Sequence, residues 1–423
     1  MPQPVKRLQP RSYHAFRCIG AECEDTCCIG WIVNVDKRTY EAYQSCDDAE
    51  LGPRLHELVT INTGDAADDN YAKIALSGPG CPFLAEGLCS IQKKLGAEYL
   101  SMMCAAYPRV MNVVDDVLQR SLDLSCPEAA RVMLLDPAPM EFDEDDPPRH
   151  DSRLGHLSVL STTDANSGKP YPYFREIRDV IIWLLQDRNN PLWKRVAILG
   201  MLCDRLHAAV ASGQSEETPA ILAEFRAGAE AGRFDEELNS RTPQPVAQLS
   251  VVLELIVDRI GSDFTTPRFF ECYREFMAGV DWTADSSMTD LGRRYSAAHA
   301  ESYAPLMNQH EYILEHYLVN YVHRTLFPLG PQESNRNLSV AHIATSIRDQ
   351  GFLMLVYYAI VQTVLVGVAG FQGANFDLKQ VIKVIQTSAK TFEHSLAFPS
   401  RALKVLANNG INDCASFAIL LRN

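Results

Sequence analysis

The spacing of apolar residues predicts helices through most of the second half of the chain. Between residues 171 and 423, apolar side chains recur every three or four positions, the spacing that places them on one face of a helix. Three such runs are Val180–Leu185, Val196–Leu206 and Leu318–Leu326. We therefore predict an α-helical domain over residues 171–423, in a protein that is mainly α.

One run in this region carries no charge. From Gly351 to Phe371 there is no charged side chain over 21 positions, and a membrane span needs ~20 apolar residues. Gln362 and Thr363 dilute the run, however, and Arg348 is the only basic residue close to it, so the basic flank that orients membrane helices is missing. The pattern favours a buried central helix of the helical domain, with no membrane insertion.

Residues 1–135 show short apolar runs separated by turn residues. Residues 31–35 alternate in the manner of a strand, and residues 109–125 contain two β-leaning runs with a plausible turn at Asp115. A proline at the first position of a helix is favourable, so a helix is expected to begin at Pro127. This part is predicted to be a small domain of short strands and loops.

Residues 136–170 have the composition of a connector. Four prolines surround five acidic residues between Glu141 and Asp146. Like charges repel and prolines interrupt helices, so a solvated linker is the simplest interpretation. An acidic docking arm is the alternative.

The overall composition is that of a globular protein. The chain has 423 residues, of which 47% are hydrophobic and 22% charged, which excludes wholesale disorder and a protein with many membrane spans. The net charge of −14 makes sequence-independent nucleic-acid binding a poor expectation, because such binding needs phosphate-neutralising Lys and Arg. A basic protein partner is compatible with this charge.

The cysteines are concentrated near the amino end. Nine of the twelve fall within the first 126 residues. The first ten residues lack the apolar core of a signal peptide, so we expect a cytoplasmic protein. Thiols stay reduced in that compartment, and clustered cysteines then favour a metal or iron–sulfur centre over disulfides.

The spacing of these cysteines predicts two groups of metal ligands. The first is Cys18-x4-Cys23-x3-Cys27-Cys28, and the second comprises Cys81, Cys89, Cys104 and Cys126. Thiolates suit Zn²⁺ or an iron–sulfur cluster, and the absence of C-x2-C knuckles favours the cluster modestly. A zinc-stapled fold without chemistry is the alternative. Three of the remaining thiols are predicted to be core residues and the fourth a bystander: Cys203, Cys272 and Cys414, and Cys46, respectively.

Several cysteine motifs resemble those of the flagellin lysine-N-methylase family. They are FRCIG (16–20), CEDTCC (23–28), Gly30-Trp31, CPFL (81–84), LCSI (88–91), CAAYPR (104–109) and SCPE (125–128). The segment EHYLVNYVHRTLFP (315–328) is similar to the C-terminal helical segment of that family. The resemblance spans most of the chain and is densest over residues 13–130. A wider group of small zinc- or iron-chelating domains shares a similar cysteine order.

The resemblance implies methyl transfer from S-adenosylmethionine to lysine side chains of flagellin, by an enzyme holding a [4Fe–4S] cluster. The chain departs from two common patterns for this donor. It has no G-x-G-x-x-G after a strand, so a Rossmann-type methyltransferase is not supported. It also lacks the C-x3-C-x2-C triplet of radical S-adenosylmethionine enzymes, since Gly30 stands where the third cysteine would follow Cys23 and Cys27.

Four residues near the cysteines are candidates for catalysis: Tyr107, Arg109, Glu24 and Asp25. A lysine amine has an ordinary pKa near ~10.4 and must lose a proton before it attacks a methyl sulfonium. Arg109 could pair with the carboxylate of the donor or with a structural Asp. Glu24 and Asp25 could hydrogen-bond a substrate amine or only cap backbone amides.

Two other functions fit the cysteine pattern. One is a non-catalytic zinc- or iron-binding module whose helical part docks a partner. The other is an electron-transfer or redox-sensing protein. Mass spectrometry of flagellin would separate the enzyme from both.

Overall fold

A computed structural model describes residues 6–29, 33–63, 67–75, 80–146, 158–163, 168–262, 266–334 and 346–423. Helices dominate these residues, which confirms the prediction of a mainly α protein. The strand expected at residues 31–35 is represented by Asn34–Val35, and residues 30–32 lie outside the described residues.

The amino-terminal part contains short helices. They are α1 (Lys37–Gln44), α2 (Leu51–Leu58), α3 (Ser90–Leu95), α4 (Met102–Ala106) and α5 (Pro127–Leu134). Helix α5 begins at the predicted proline, and the preceding Cys126 has an extended backbone. The carboxylate of Asp36 caps α1 by accepting the Thr39 N–H at 3.0 Å.

The strands form one larger sheet and two small ones. They are β1 (Lys6–Pro10), β2 (Asn34–Val35), β3 (Val59–Ile61), β4 (Ala72–Ile74), β5 (Leu84–Ala85), β6 (Leu88–Cys89), β7 (Arg109–Val114), β8 (Val117–Leu122), β9 (Phe142–Asp145), β10 (Ser158–Leu160) and β11 (Glu333–Ser334). The larger sheet has the order β11-β10-β7-β8-β1-β9. Strands β7 and β8 form the predicted hairpin, in which Asp115 adopts φ 56°, a value that tight two-residue turns require.

The carboxyl-terminal part is a set of packed helices. They are α6 (Phe174–Leu185), α7 (Leu192–Ala211), α8 (Thr218–Glu230), α9 (Asp235–Ser240), α10 (Pro245–Ser262), α11 (Pro267–Gly279), α12 (Met288–Ala298), α13 (Ala304–Met307), α14 (Tyr312–Arg324), α15 (Ile347–Gln372), α16 (Leu378–Ser388), α17 (Phe398–Asn408) and α18 (Cys414–Leu420). A π-helical turn, Ala389–Glu393, follows α16 directly. Such wider turns often occur at functional sites.

Helix α15 is the predicted central helix. The span Ile347–Asn375 has the length and hydropathy of a membrane-crossing segment. Its most apolar 18-residue window is entirely buried inside the protein, against helices that include α11, α7 and α16. The expectation of a buried core helix is therefore confirmed.

The hydrophobic cores divide the chain differently from the predicted boundary at residue 136. A small core lies within residues 33–91. A larger core contains both the helices and residues of the amino-terminal part, among them Phe16, Leu122 and Met133. The larger sheet and α5 thus pack with the helical part.

The expectation of a solvated linker over residues 136–170 is wrong for two segments. Strand β9 pairs antiparallel with β1, and β10 pairs parallel with β7. The acidic run is part of this arrangement, since Arg7 binds Asp145 with an Nε–Oδ1 distance of 2.7 Å. Cross-strand pairing with basic residues offsets the mutual repulsion that the composition suggested.

Candidate functional site

Five of the predicted metal-ligating cysteines lie close together. The thiol of Cys28 hydrogen-bonds with the thiols of Cys27 and Cys89. The backbone N–H of Cys81 donates to the Cys28 carbonyl at 2.8 Å. Cys104 interacts electrostatically with Cys27, Cys81 and Cys89. We refer to these five thiols as the first thiol group.

The other three predicted ligands form a second group. Cys126 interacts electrostatically with Cys23 and Cys18, so these three make up the second thiol group. The phenol of Tyr107 interacts with Cys126 of the second group and with Cys27 of the first. Tyr107 therefore interacts with both thiol groups.

Hydrogen bonding and burial act differently on these thiols. The bond with Cys28 lowers the pKa of both Cys27 and Cys89 and raises the pKa of Cys28 itself. Burial raises the pKa of Cys104 and of Cys126 to about 12. Within the first group, Cys27 and Cys89 are therefore the thiols that the structure predisposes to ionise, and the thiolate is the form that binds metal.

The donor chemistry fits a thiolate-bound centre, although no finished ligand set is present. All twelve cysteines lie among the described residues, and none of them forms a disulfide. Soft thiolates are the ligands of zinc and of iron–sulfur clusters. In the described part of the chain, no group of three or more His, Cys, Asp or Glu side chains has the geometry to hold a metal ion.

The three thiols predicted to be core residues are buried in the helical part. Cys203, Cys272 and Cys414 each have no exposed surface. The prediction that they are small core residues is confirmed.

Two of the catalytic candidates form ion pairs with cations on α5, on α11 and in the π-helical turn after α16. Asp25 accepts from Lys390 Nζ at 3.0 and 3.1 Å. Glu24 pairs with Arg131 at 2.6 Å and with Arg268 at 3.8 Å. Burial opposes ionisation of Glu24, but the bond from Arg131 and the neighbouring charges outweigh it and lower the pKa of that carboxyl. Both carboxylates therefore stabilise the contact between the cysteine loop and the helices.

The other two candidates are held by aromatic and hydroxyl contacts. The Tyr107 hydroxyl lies 2.9 Å from Ser125 Oγ, and burial raises its pKa well above the ordinary value. Tyr107 is thus a neutral phenol at neutral pH. The Arg109 guanidinium lies over the ring of Phe16, 5.1 Å from its centroid. The catalytic roles of all four candidates stay predictions.

A buried polar network connects the second thiol group with the helices. Asp123, three residues before Cys126, accepts from Arg324 Nη1 at 3.2 Å and lies 3.2 Å from His394 Nε2. Arg324 also bonds Glu393, whose other oxygen accepts the Tyr317 hydroxyl at 2.9 Å. Burial opposes ionisation of Asp123, yet His394 and Arg324 hold its pKa below the ordinary value.

A small cavity lies at the far end of this network. Tyr317, Tyr357, Ser388 and Glu393 line it, and the space between them is too small for a water molecule. The hydroxyls of Tyr357 and Ser388 are buried and have no hydrogen-bond partner among the described residues. Sites for drug-sized ligands occupy about 300–1,000 Å³, so a cavity that cannot hold a water molecule cannot admit S-adenosylmethionine.

The comparison with known families identifies the chain. The family described as "FliB lysine N-methylase C-terminal domain" matches residues 178–420, more than half of the 423 residues. The chain belongs to the FliB lysine N-methylase family. The matched region begins within α6 and ends at the last residue of α18, and it includes Arg324, Gln386, Lys390 and Glu393.

Individual relatives in the lysine N-methylase family align with a shorter stretch of this chain. "Flagellar biosynthetic protein FliU" of Salmonella muenchen is 32% identical over 137 residues, which are 32% of this chain and 81% of that protein. "Lysine-N-methylase" of Salmonella typhimurium and of Salmonella choleraesuis are each 31% identical over 137 residues, which are 34% of each of those proteins. The alignment thus spans about a third of the length of the two lysine-N-methylases. No solved structure matches the chain.

Several polar residues beside the site could not be singled out from sequence. Gln386 and Lys390 lie on a helix and turn without an unusual pattern, and Glu393 and His394 follow them. Arg324 lies inside the EHYLVNYVHRTLFP segment that carried the family resemblance. That segment is the available sequence signal for the network, since it covers most of α14, and the structure packs α14 against β8.

Proposed function

We propose that this protein is a protein-lysine N-methyltransferase that transfers methyl groups from S-adenosylmethionine to lysine side chains of flagellin. The observation that carries the proposal is membership of the FliB lysine N-methylase family over residues 178–420. Relatives named lysine-N-methylase and flagellar biosynthetic protein support both the reaction and the flagellar substrate.

The proposed enzyme holds a [4Fe–4S] cluster, with zinc as the alternative metal. Support comes from the absence of disulfides and from the neighbouring positions of the thiols in the two groups. The eight cysteines that would supply the ligands are Cys18, Cys23, Cys27, Cys28, Cys81, Cys89, Cys104 and Cys126. A bound cluster would supply iron held by thiolates, which can act as a Lewis acid.

The methyl transfer needs no oxidant or reductant. The lone pair of the lysine Nε attacks the methyl carbon of the sulfonium, the carbon–sulfur bond breaks, and S-adenosylhomocysteine leaves as the neutral thioether. The attacking amine must first lose a proton to water, since its ordinary pKa is near ~10.4. Tyr107 is protonated at neutral pH and suits donation, whereas Glu24 and Asp25 are already paired with cations.

Flagellin methylation provides the test. Flagellin is co-expressed with the protein, and its lysine-containing peptides are analysed by mass spectrometry. We expect mass increments of one or more methyl groups with the wild type and none with Cys27→Ser. Cys46→Ser is the matched control, because Cys46 is a thiol of the same region outside both thiol groups, and it should methylate like the wild type.

The metal is identified on protein purified without oxygen. Iron and acid-labile sulfide with a brown colour support the cluster, whereas zinc without sulfide overturns that part of the proposal. Unmodified flagellin in the presence of cluster-loaded protein and S-adenosylmethionine overturns the methyltransferase and favours a metal-binding module whose helical part docks a partner.

A further inference from the structure

One amide of the helical part binds both thiol-bearing segments at once. Gln386 Nε2 donates to Asp25 Oδ2 at 2.7 Å and to the Ser125 carbonyl at 2.7 Å. Asp25 lies in the loop between Cys23 and Cys27, and Ser125 directly precedes Cys126. Gln386 is fully buried, so these hydrogen bonds satisfy an amide that has no access to water.

The orientation of this amide is set from its other side. Arg268 Nε donates to Gln386 Oε1 at 3.2 Å, and Arg268 Nη1 donates to the Glu24 carbonyl at 3.2 Å. An arginine can only donate, so the oxygen of the Gln386 amide faces Arg268 and the NH₂ group faces the cysteine loop. The cysteine loop therefore accepts hydrogen bonds from two side chains of the helical part, Gln386 and Arg268.

Lys390 makes the charged contact of the same interface. Its Nζ lies 3.0 Å from Asp25 Oδ2 and 2.7 Å from the Thr26 carbonyl. Only 8% of the Lys390 side chain and 13% of the Asp25 side chain are exposed. Removing one partner of such a pair leaves a buried charge without compensation, so the pair resists separation.

We infer that Gln386 and Lys390 are positioning residues for the thiol centre, which hold the Cys23–Cys28 loop beside the segment that carries Cys126. The inference rests on one part of the proposed function, namely that these thiols hold the cluster. The positioning itself is a property of the chain without metal. It gives the helical part a direct role in assembling the centre.

Thiol labelling of the reduced, metal-free protein tests the positioning. The alkylation rates of Cys23 and Cys126 are measured by peptide mass spectrometry in wild type, Gln386→Leu and Lys390→Met. Hydrogen bonds to charged groups are among the strong ones, so both variants should label these thiols about tenfold faster through local opening. The rates of Cys203 and Cys414 should stay at the wild-type value, because these thiols report global unfolding.

A matched control and a conservative variant separate positioning from general destabilisation. Lys383 lies on α16, the helix that carries Gln386, but it pairs with Glu271 at 3.2 Å and Glu275 at 3.3 Å on α11 rather than with the cysteine loop. Lys383→Met should therefore label like the wild type, and Lys390→Arg should restore most of the protection. Asp25→Asn combined with Lys390→Met should open the loop little more than either change alone, because both remove the same contact.

Cluster loading then separates this inference from the proposed function. After anaerobic reconstitution with iron and sulfide, Gln386→Leu and Lys390→Met should retain less iron than the wild type and show an altered visible spectrum. A wild type that takes up no iron contradicts the proposed cluster, while the labelling rates still decide the positioning. Labelling of Cys23 and Cys126 at the wild-type rate in both variants overturns the inference, as does equal acceleration at Cys203 and Cys414.

Discussion

Arg324 is the cation on which the buried network depends, so Arg324→Met is the most informative single change in it. Its guanidinium bonds both Asp123 and Glu393, and the three side chains are 13%, 11% and 5% exposed, respectively. Methionine keeps much of the side-chain length and removes the charge. After the change, His394 still faces Asp123 and the Tyr317 hydroxyl still bonds Glu393.

The expected loss follows from the charges left behind. At an effective dielectric constant of about 20, each ion pair at about 4 Å is worth about 4 kcal/mol before desolvation. Breaking a buried pair by removing one partner typically costs about 3–5 kcal/mol, because the other charge stays buried. With the remaining contacts of both carboxylates in place, we expect the free energy of unfolding to fall by about 3–5 kcal/mol at pH 8.

The loss should depend on pH in a direction that the network dictates. Burial raises the pKa of Asp123, and without Arg324 only His394 among the neighbouring cations opposes this effect, so we expect the pKa of Asp123 to rise above its unfolded value. Such a group binds a proton in the folded state as the pH falls, so the deficit shrinks toward acid. Each unit of pKa shift corresponds to about 1.4 kcal/mol, and we expect the deficit at pH 5 to be about 1–3 kcal/mol smaller than at pH 8.

Urea unfolding, followed by circular dichroism and tryptophan fluorescence, measures this effect. Arg205→Met is the control, because Arg205 forms an exposed pair with Glu217 at 3.4 Å and should cost at most about 1 kcal/mol. A deficit for Arg324→Met no larger than that of the control, or a deficit equal at pH 5 and pH 8, would refute the description of Asp123, Arg324 and Glu393 as a buried charge network.

Two further predictions concern the packing and the titration of the helical part. In Gly279→Ala, the new Cβ would lie 1.8 Å from the Gly367 carbonyl oxygen on α15, so the helices must separate and stability should fall by about 1–3 kcal/mol. In the control Gly261→Ala, the new Cβ has no atom within 4 Å, and the free energy of unfolding should rise by up to about 1 kcal/mol. Thermal midpoints that move in the same direction for both variants would contradict this packing. Burial lowers the pKa of His323 to about 3, so the unfolded chain binds a proton below pH 6.5 that the folded protein does not, and stability present above pH 6.5 is lost as the pH falls toward 3. His323→Gln can still donate to the Arg120 carbonyl and should lose about 2–3 kcal/mol less than the wild type between pH 6.5 and about pH 4.5; parallel stability profiles would show that His323 does not titrate this way.

Local patterns predicted those elements whose cause lies within a few residues. The β7–β8 hairpin follows from two β-leaning runs around Asp115, and α5 begins at Pro127 as expected. Helix α15 was recognisable because 21 uncharged positions leave no polar face to expose. In each case, the residues that determine the element lie close to one another in the sequence.

The acidic connector shows where composition is insufficient. Prolines and carboxylates over residues 136–170 predict a solvated chain, yet Phe142–Asp145 completes the edge of a sheet. Its partner, Lys6–Pro10, lies more than 130 positions earlier and contributes Lys6 and Arg7 to pairs with acidic side chains. Arg11, the residue after this strand, pairs with Asp143. Pairing between distant segments depends on the whole topology, which a local composition does not contain.

The amino-acid sequence alone determined the helical class, the concentration of cysteines near the amino end and the resemblance to a methylase family, because these depend on residue type and short-range spacing. The tertiary structure decided which thiols are neighbours and which cations pair with the carboxylates of the cysteine loop. Asp25 and Lys390 are 365 positions apart, and the Asp25 carboxylate forms its ion pair only because the π-helical turn after α16 packs against the cysteine loop. The physical reason is that a carboxylate's role depends on the cation it meets, and long-range packing chooses that cation.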